Sequence, residues 1–331
     1  MRILFMGTPD LSRTVLQALC EAGHEIVLCV TQPDREKGRG KAVQTSPVKE
    51  EALLRGIPVF QPERLRREEN VAWLRDFLAE HPADVGVVAA FGQILPQSVL
   101  DMPRFGCLNV HTSLLPKYRG ASPIEAVILA GEPVTGVTTM QMDAGLDTGD
   151  ILLQRELAIG PEETGGSLTE KLAELGGELI VETLAQLEAG TLSPRPQEGE
   201  STYAGLIRKE AGSLDWREPA DAAERRIRAF DPWPGTYTFR AGKRVKIGRA
   251  AVLPEAGETA EEKPAQRPDG EAGEDRPAPG TVLAASKKGI DVQTGRGILR
   301  ILSLQPEGKK MMPADAYLRG YSLQAGEILG E

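Results

Sequence analysis

The chain has 331 residues, of which 40% are hydrophobic, enough for about two globular domains with packed cores. Its three cysteines are scattered and no two have the spacing of zinc ligands, which argues against a disulfide framework and a zinc site. No apolar run approaches the ~20 residues of a membrane span, and the N-terminus enters a strand-like run without a leader. We therefore expect a cytoplasmic protein with no membrane contact and no bound metal.

The net charge of −9 at pH 7 is unevenly distributed along the chain. Residues 1–204 carry a net −11, residues 205–253 carry +5, residues 254–279 carry −5 and residues 281–331 carry +2. The C-terminal part without its acidic stretch therefore has the modest positive charge expected of a surface that binds a phosphate backbone. Charge alone predicts a mixed, solvated surface almost equally well.

The first part of the chain is predicted to alternate between strands and helices. Residues 3–6 form a short apolar strand, residues 10–21 a helix, and residues 25–31 a second strand. This order within about 30 residues predicts a βαβ unit and hence a parallel sheet. The apolar run 83–90 is typical of a central strand of such a sheet. No Gly-x-Gly-x-x-Gly follows the first strand, so a dinucleotide site is not predicted.

A basic segment lies between residues 35 and 49. It contains two glycines and, against the single Glu36, five cations: Arg35, Lys37, Arg39, Lys41 and Lys49. Its glycines do not have the spacing of a phosphate-binding P-loop. The segment is either a solvated surface loop or a flexible arm that grips the phosphates of an RNA.

A loop over residues 91–96 follows the predicted central strand and contains Phe91, Gly92 and Ile94. In open α/β sheets, ligands bind in crevices outside the carboxyl ends of the strands. Backbone groups of this loop would therefore be placed to bind a flat heterocycle. An ordinary strand-to-helix loop would show the same pattern.

Asn109 and His111 follow the apolar run 105–108, and their i, i+2 spacing puts both side chains on one face of an extended segment. An amide at a strand end can hold a developing oxyanion, and an imidazole can move a proton near neutral pH. Both properties suit acyl-type transfer. Asp147, in the glycine-punctuated loop 143–150, could orient and charge-stabilise the imidazole. Each residue also has a plain structural explanation, as a cap, a packed histidine or a turn residue.

The sequence pattern changes after residue 189. Residues 190–207 begin with a polar stretch rich in Pro, Gly and Ser and are predicted to be a linker. The region 208–331 shows one helix at 220–230 and five short strands, at 236–239, 244–253, 280–285, 289–294 and 297–304. This pattern is typical of a small OB-like β-barrel. Residues 254–279 are acidic and lack hydrophobic periodicity, so we expect them to form a disordered insert between barrel strands.

Five stretches of the sequence have a recognisable pattern: 109–120 (NVHTSLLPKYRG), 3–10 (ILFMGTPD), 31–41 (TQPDREKGRGK), 46–49 (SPVK) and 140–150 (MQMDAGLDTGD). Together they resemble the folate-dependent formyltransferases and, within that family, the members that act on initiator Met-tRNA. The match runs in order from residue 2 to about residue 325. It departs from the family pattern at the long acidic insert and at Thr112, where a glycine is common.

The resemblance implies a doubly wound, Rossmann-like formyltransferase domain over residues 1–189 and a tRNA-binding barrel domain over residues 208–331. It implies transfer of the formyl group of 10-formyltetrahydrofolate to the α-amino group of methionine on initiator Met-tRNA, without a covalent enzyme intermediate. Asn109 would donate a hydrogen bond to the oxyanion, and His111 would handle the proton of the attacking amine. Asp147 would orient His111 and favour its charged form.

The same resemblance assigns binding residues. The folate co-substrate would be held by residues of two loops: Phe91, Gly92, Ile94, Ser113, Leu114, Leu115 and Pro116. The tRNA would be contacted by basic residues, with Arg39 carrying the most weight, and these are Lys37, Arg39, Lys41, Lys309 and Lys310. No metal is implied.

Two alternative functions stay open at this point. A related formyltransferase acting on a small amine, such as glycinamide ribonucleotide, shares the Asn-x-His pair and the aspartate loop but lacks the second domain and the basic segment. A non-enzymatic RNA-binding module would not need Asn109, His111 and Asp147 together. We expect the protein to act as a monomer, and its sequence assigns no role to residues 254–279.

Overall fold

The computed structural model of the chain describes residues 1–37, 42–253 and 276–330. They divide into two compact units. Within the described residues, the first comprises Met1–Val127, Glu132–Gly160 and Ser167–Leu206, and the second comprises Ile128–Gly131, Pro161–Gly166 and Ile207–Glu331. The predicted domain boundaries at residues 189 and 208 stay predictions. Residues 254–275, which make up most of the predicted disordered insert, lie outside the described ranges.

Strands and helices are interspersed along the first 206 residues. The strands are β1 (Arg2–Gly7), β2 (Glu25–Val30), β3 (Arg35–Lys37), β4 (Ala42–Gln44), β5 (Val59–Phe60), β6 (Val85–Ala89), β7 (Cys107–His111), β8 (Arg119–Gly120), β9 (Val134–Gln141), β10 (Ile151–Ala158) and β11 (Tyr203–Ala204). The helices are α1 (Asp10–Glu21), α2 (Pro47–Leu54), α3 (Glu68–Glu80), α4 (Gln97–Leu100), α5 (Pro123–Ala130) and α6 (Gly165–Ala189).

Seven of these strands form one sheet in the order β10-β9-β7-β6-β1-β2-β5. The five strands from β7 to β5 pair in parallel, which confirms the Rossmann-like arrangement predicted from the sequence. β9 and β10 continue the sheet with antiparallel pairing. Their direction could not be predicted, because alternation of apolar residues identifies a strand but not the direction in which it runs.

The middle of the sheet is buried on both faces. All four side chains from Ile3 to Met6 in β1 are 0% exposed, which explains why this strand is a continuous apolar run. The strand order reverses between β6 and β1. Ligands of such sheets bind at the carboxyl ends of the strands near this reversal. The 91–96 loop after β6 and the end of β7 at His111 both lie at that edge.

The basic segment is a β-hairpin in its described residues. β3 and β4 pair antiparallel, with Arg35 opposite Gln44. α2 begins directly afterwards, because Ser46 Oγ caps it by accepting from the Lys49 backbone N–H at 3.1 Å and Pro47 occupies its first turn. The expectation of a loop is therefore wrong for residues 35–37 and 42–44, which are strands.

The chain after α6 returns to the first unit. Arg195 forms a β-bridge with Ile151, and β11 pairs in parallel with β8, placing Ala204 opposite Gly120. Most of the segment 190–207, predicted as a linker, thus belongs to the first unit, where Arg195 and β11 make strand contacts.

The second unit contains an antiparallel sheet. Its elements are a 3₁₀ turn (Lys209–Gly212), α7 (Ala220–Ala229), β12 (Thr236–Arg240), β13 (Lys243–Leu253), β14 (Val282–Ser286), β15 (Gly289–Gln293), β16 (Ile298–Pro306), β17 (Met312–Pro313) and α8 (Ala314–Gly320). The strand order is β12-β13-β16-β15-β14, with β17 on β16. Its core surrounds Trp216, Ile247, Val292 and Leu299. Within the described ranges, no helix is both long and apolar enough to cross a membrane.

Candidate active site

Asn109, His111 and Asp147 lie together at the carboxyl end of β7. Asn109 and His111 belong to that strand, and Asp147 reaches them from the loop between β9 and β10. Asn109 Nδ2 donates to Asp147 Oδ1 at 3.4 Å, and His111 Nδ1 lies 3.8 Å from Asp147 Oδ2. His111 is 5% exposed, so the imidazole and the carboxylate meet in a site with little access for water.

The second ring nitrogen of His111 determines which nitrogen can act as a base. His111 Nε2 lies 2.9 Å from the backbone carbonyl oxygen of Tyr118. A carbonyl oxygen can only accept, so Nε2 carries the proton in this contact. In the neutral ring the free lone pair is then on Nδ1, which is the nitrogen facing Asp147. His111 can therefore take up a proton at Nδ1, and the resulting cation lies beside a carboxylate.

Asp147 is held by groups from segments distant in sequence. The Gly120 backbone N–H donates to Asp147 Oδ2 at 2.8 Å. Gln197 Nε2 donates to the backbone carbonyl oxygens of Asp147 and Gly149, both at 2.8 Å. These contacts fix a residue whose φ of 51° lies in the left-handed region, which non-glycine residues adopt only when their surroundings impose it.

Gly120 and Gln197 were not identified as site residues from the sequence. Gly120 has a φ of 111°, and a Cβ atom added there would lie 2.6 Å from the carbonyl oxygen of Ala204, so the position requires glycine. The position of Gly120 in the 109–120 run could have identified it as a site residue. Gln197 lies in the predicted linker, and nothing in its local sequence indicates that it reaches Asp147. Its Oε1 accepts from Arg119 Nε and Nη2 at 3.1 and 2.7 Å.

The 91–96 loop has an ordered backbone and one exposed apolar side chain. The carbonyl oxygens of Phe91 and Gly92 accept from Gln32 Nε2 at 3.1 and 3.3 Å, and Thr8 Oγ1 also donates to Phe91 at 3.2 Å. Phe91 is 2% exposed, whereas Ile94 is 73% exposed and free to contact a ligand. Thr8 and Gln32 were not predicted to support this loop.

The 113–116 segment divides into supporting and exposed parts. The Ser113 hydroxyl is fully buried and donates to the carbonyl oxygen of Lys117 at 2.7 Å. The side chain of Leu115 packs in the small apolar cluster that also contains Met140 and Ile151. Leu114 and Pro116 are only half-buried. A ligand would therefore contact the side chains of Leu114 and Pro116, and only the backbone of the other two residues.

The structure describes only some of the residues predicted to contact tRNA. Arg39 and Lys41 lie outside the described residues, and of Lys37 only its backbone place in β3 is known. Lys309 and Lys310 are exposed in the turn between β16 and β17 of the second unit.

These residues give the first unit an amide donor, an imidazole base and a carboxylate within reach of one another. Such a set can stabilise an oxyanion and move a proton during attack on an acyl carbon. Across the ranges that the structure describes, no three His, Cys, Asp or Glu side chains are grouped so as to hold a metal ion.

Solved structures share the fold at low sequence identity. HypX from Aquifex aeolicus in complex with tetrahydrofolic acid has a TM-score of 0.59 and 20% identity, over 96% of this chain and 47% of that one. WlaRD, a sugar 3N-formyl transferase solved with dTDP and 5-N-formyl-THF, has a TM-score of 0.62 and 18% identity, over 94% of this chain and 99% of that one. At these identities the likeness shows the fold alone.

Sequence comparisons are more specific. The Formyl transferase family matches residues 1–184, and the family Formyl transferase, C-terminal domain, matches residues 206–322. Methionyl-tRNA formyltransferase from Agathobacter rectalis is 47% identical over 329 residues, covering 99% of both chains. The enzyme of the same name from Geobacter metallireducens is 46% identical, over 99% of this chain and 98% of its own. The chain therefore belongs to the methionyl-tRNA formyltransferases of the formyl transferase family.

Proposed function

We propose that this chain transfers the formyl group of 10-formyltetrahydrofolate to the α-amino group of methionine on initiator Met-tRNA, giving N-formylmethionyl-tRNA for translation initiation. The observation that carries the proposal is the meeting of Asn109, His111 and Asp147 at the carboxyl end of β7. Relatives that match over nearly the whole chain, including its second unit, are named for this reaction.

The side chains suggest a division of labour in the reaction. Attack of the methionine amine on the formyl carbon gives a tetrahedral oxyanion, to which the Asn109 amide can donate. His111 takes the proton of the attacking amine on Nδ1, because Nε2 is already bonded to the Tyr118 carbonyl oxygen. When the bond from the formyl carbon to the folate nitrogen breaks, that nitrogen gains a proton, so no net proton stays on the enzyme.

Asp147 acts through His111. Its carboxylate lies beside Nδ1 and balances the positive charge that develops there. The N–H of Gly120 and the amide of Gln197 keep the carboxylate and its backbone in this position. Holding the amine and the formyl carbon in one site supplies much of the remaining rate enhancement.

The binding contacts belong to the same proposal. The loop containing Phe91, Gly92 and Ile94 and the run Ser113–Pro116 would hold the co-substrate. The basic residues Lys37, Arg39, Lys41, Lys309 and Lys310 would contact tRNA phosphates. Closure of the second unit's sheet into an OB-like barrel, action as a monomer and a cytoplasmic location stay predictions.

A direct assay distinguishes this function from formylation of a small amine. Purified protein is incubated with 10-formyltetrahydrofolate and either initiator Met-tRNA, elongator Met-tRNA or glycinamide ribonucleotide, and each component is omitted in turn. We expect transfer only when a charged tRNA is present, with the initiator as the better substrate. Turnover of glycinamide ribonucleotide without tRNA would instead support the small-amine alternative.

A further inference from the structure

Gln32 contacts both the predicted co-substrate loop and the base of the basic hairpin. Its Nε2 atom donates to the carbonyl oxygens of Phe91 at 3.1 Å and Gly92 at 3.3 Å. Its Oε1 atom accepts from Nη2 of Arg35, the first residue of β3, at 3.0 Å. One amide group therefore bridges two segments for which we propose different ligands.

The backbone around Gln32 is fixed from both sides. Its N–H donates to Thr8 Oγ1 at 3.4 Å, and its carbonyl oxygen accepts from Gln61 Nε2 at 2.9 Å. Gln61 Nε2 also donates to Asp34 Oδ1 at 2.8 Å, and Asp34 Oδ2 accepts from Lys49 Nζ at 2.5 Å. Since the main chain at Gln32 is tied down, its side chain is the part that can respond to movement of its neighbours.

The contact with the loop leaves little free space. Gly92 has a φ of 76°, and a Cβ atom added there would lie 2.5 Å from Gln32 Nε2. A displacement of the Gly92 backbone toward Gln32 must therefore move the amide. Because an amide is planar, a rotation that breaks the contacts of Nε2 also redirects Oε1 away from Arg35.

We propose that Gln32 is a positioning residue that couples co-substrate binding to tRNA binding. A folate that holds the 91–92 backbone in place keeps the Gln32 amide turned toward Arg35, and Arg35 in turn orients the base of the hairpin for the tRNA. This inference rests on the proposed function, since it takes the loop as the folate site and the hairpin as part of the tRNA site.

The expected size of the effect follows from the bonds involved. Hydrogen bonds between protein groups contribute about 0.5–1.5 kcal/mol net, which corresponds to about 2- to 12-fold in an equilibrium constant. We therefore expect saturating folate to tighten tRNA binding by about 3- to 10-fold. Coupling is reciprocal, so tRNA should tighten folate binding by the same factor.

The test measures the Kd of initiator Met-tRNA with and without saturating tetrahydrofolate, which has no formyl group and so permits no transfer. In the wild-type protein we expect the ratio of the two Kd values to be about 3–10. In Gln32→Ala we expect a ratio near 1, while each ligand alone binds within about 3-fold of wild type. Gln186→Ala is the matched control, because Gln186 is a half-buried glutamine whose amide donates to Glu182 within α6.

A second variant keeps the test valid if Gln32→Ala folds poorly. Gln32→Glu retains an acceptor for Arg35 but has no N–H for the two carbonyl oxygens, so it should also give a ratio near 1. A wild-type ratio of 1, or a wild-type ratio preserved in both Gln32 variants, overturns the coupling. If the wild-type protein formylates Met-tRNA but tetrahydrofolate does not change its Kd for initiator Met-tRNA, only this inference is wrong. If the wild-type protein does not formylate Met-tRNA, the proposed function itself is wrong.

Discussion

At the level of single residues, Asn109 is the group that we propose to bind the oxyanion. Its contact to Asp147 is long, at 3.4 Å, so the amide can turn toward a stronger acceptor at little cost. We predict that Asn109→Ala lowers kcat for formylation by about 10²- to 10³-fold and leaves the KM for Met-tRNA nearly unchanged, because the oxyanion exists only near the transition state.

Steady-state kinetics at several Met-tRNA concentrations check this prediction. Asn70→Ala is the control, because the Asn70 amide donates only to the Arg64 carbonyl oxygen at an exposed site. A loss in Asn109→Ala that appears entirely in KM would assign the residue to substrate binding instead.

The sequence predicted some of these residues and not others. Asn109 and His111 were found because their i, i+2 spacing at a strand end has a direct geometric meaning. Gln197 could not be found, since its role depends on the chain returning to the first unit after α6. The sequence also could not predict which nitrogen of His111 carries the proton. That depends on the position of the Tyr118 backbone carbonyl oxygen, which cannot be inferred from the identity of any side chain.

At the scale of elements, the hairpin of β3 and β4 is anchored through Asp34. The hydrogen bond from Lys49, and secondly that from Gln61, lower the pKa of Asp34 below its usual range. A lowered pKa means that the folded protein favours the carboxylate, so this stabilisation is present above about pH 4 and is lost as the pH falls through the folded-state pKa.

We therefore predict that Asp34→Asn weakens the hairpin at pH 7 by about 1 kcal/mol. Amide hydrogen exchange in β3 and β4, expressed as a free energy of local opening, measures the change. The difference from wild type should shrink as the pH falls below about 4 and should vanish below the lowered folded-state pKa, where the wild-type carboxylate also loses its charge. Asp10→Asn, which alters an exposed carboxylate beside Arg13, should leave the hairpin unchanged, and an equal effect there would contradict the anchor.

Elements were predictable where burial dictates the sequence. The runs that became β1 and β6 are apolar because both of their faces are covered. The hairpin was missed because its strands, REK and AVQ, are three residues long and show no apolar alternation. Their pairing depends on contacts at the hairpin base, such as those of Asp34, which lie outside the strands themselves.

At the level of the whole molecule, residues 205–253 and 281–331 carry a net charge of +7 in a chain whose total charge is −9. Lys309 and Lys310 are exposed together in one turn. We predict that replacing both with alanine raises the KM for Met-tRNA and lowers the slope of log Kd against log salt concentration by about 2, the value expected for two lost phosphate contacts.

The control for this prediction has the same charge change. Lys287 and Lys288 are exposed in the turn between β14 and β15, and their replacement by alanine removes two positive charges elsewhere in the same unit. If both double variants weaken tRNA binding equally, general charge and not the 309–310 turn is responsible.

The presence of two parts was predicted from the change of sequence pattern after residue 189. The net charge of the whole chain, taken alone, would have argued against an RNA partner. What could not be predicted is the path of the chain after α6. Residues 195–204 contribute a bridge and a strand to the first unit, although their composition is that of a linker.

The most direct test of the catalytic account is single-turnover formylation of initiator Met-tRNA by His111→Ala, with His81→Ala as the control because His81 is an exposed histidine at the end of α3. We predict that His111→Ala loses about 10²- to 10⁴-fold in rate while binding Met-tRNA within about 2-fold of wild type. His81→Ala should retain the full rate. A His111→Ala protein that formylates Met-tRNA at the wild-type rate would show that His111 is not the proton acceptor.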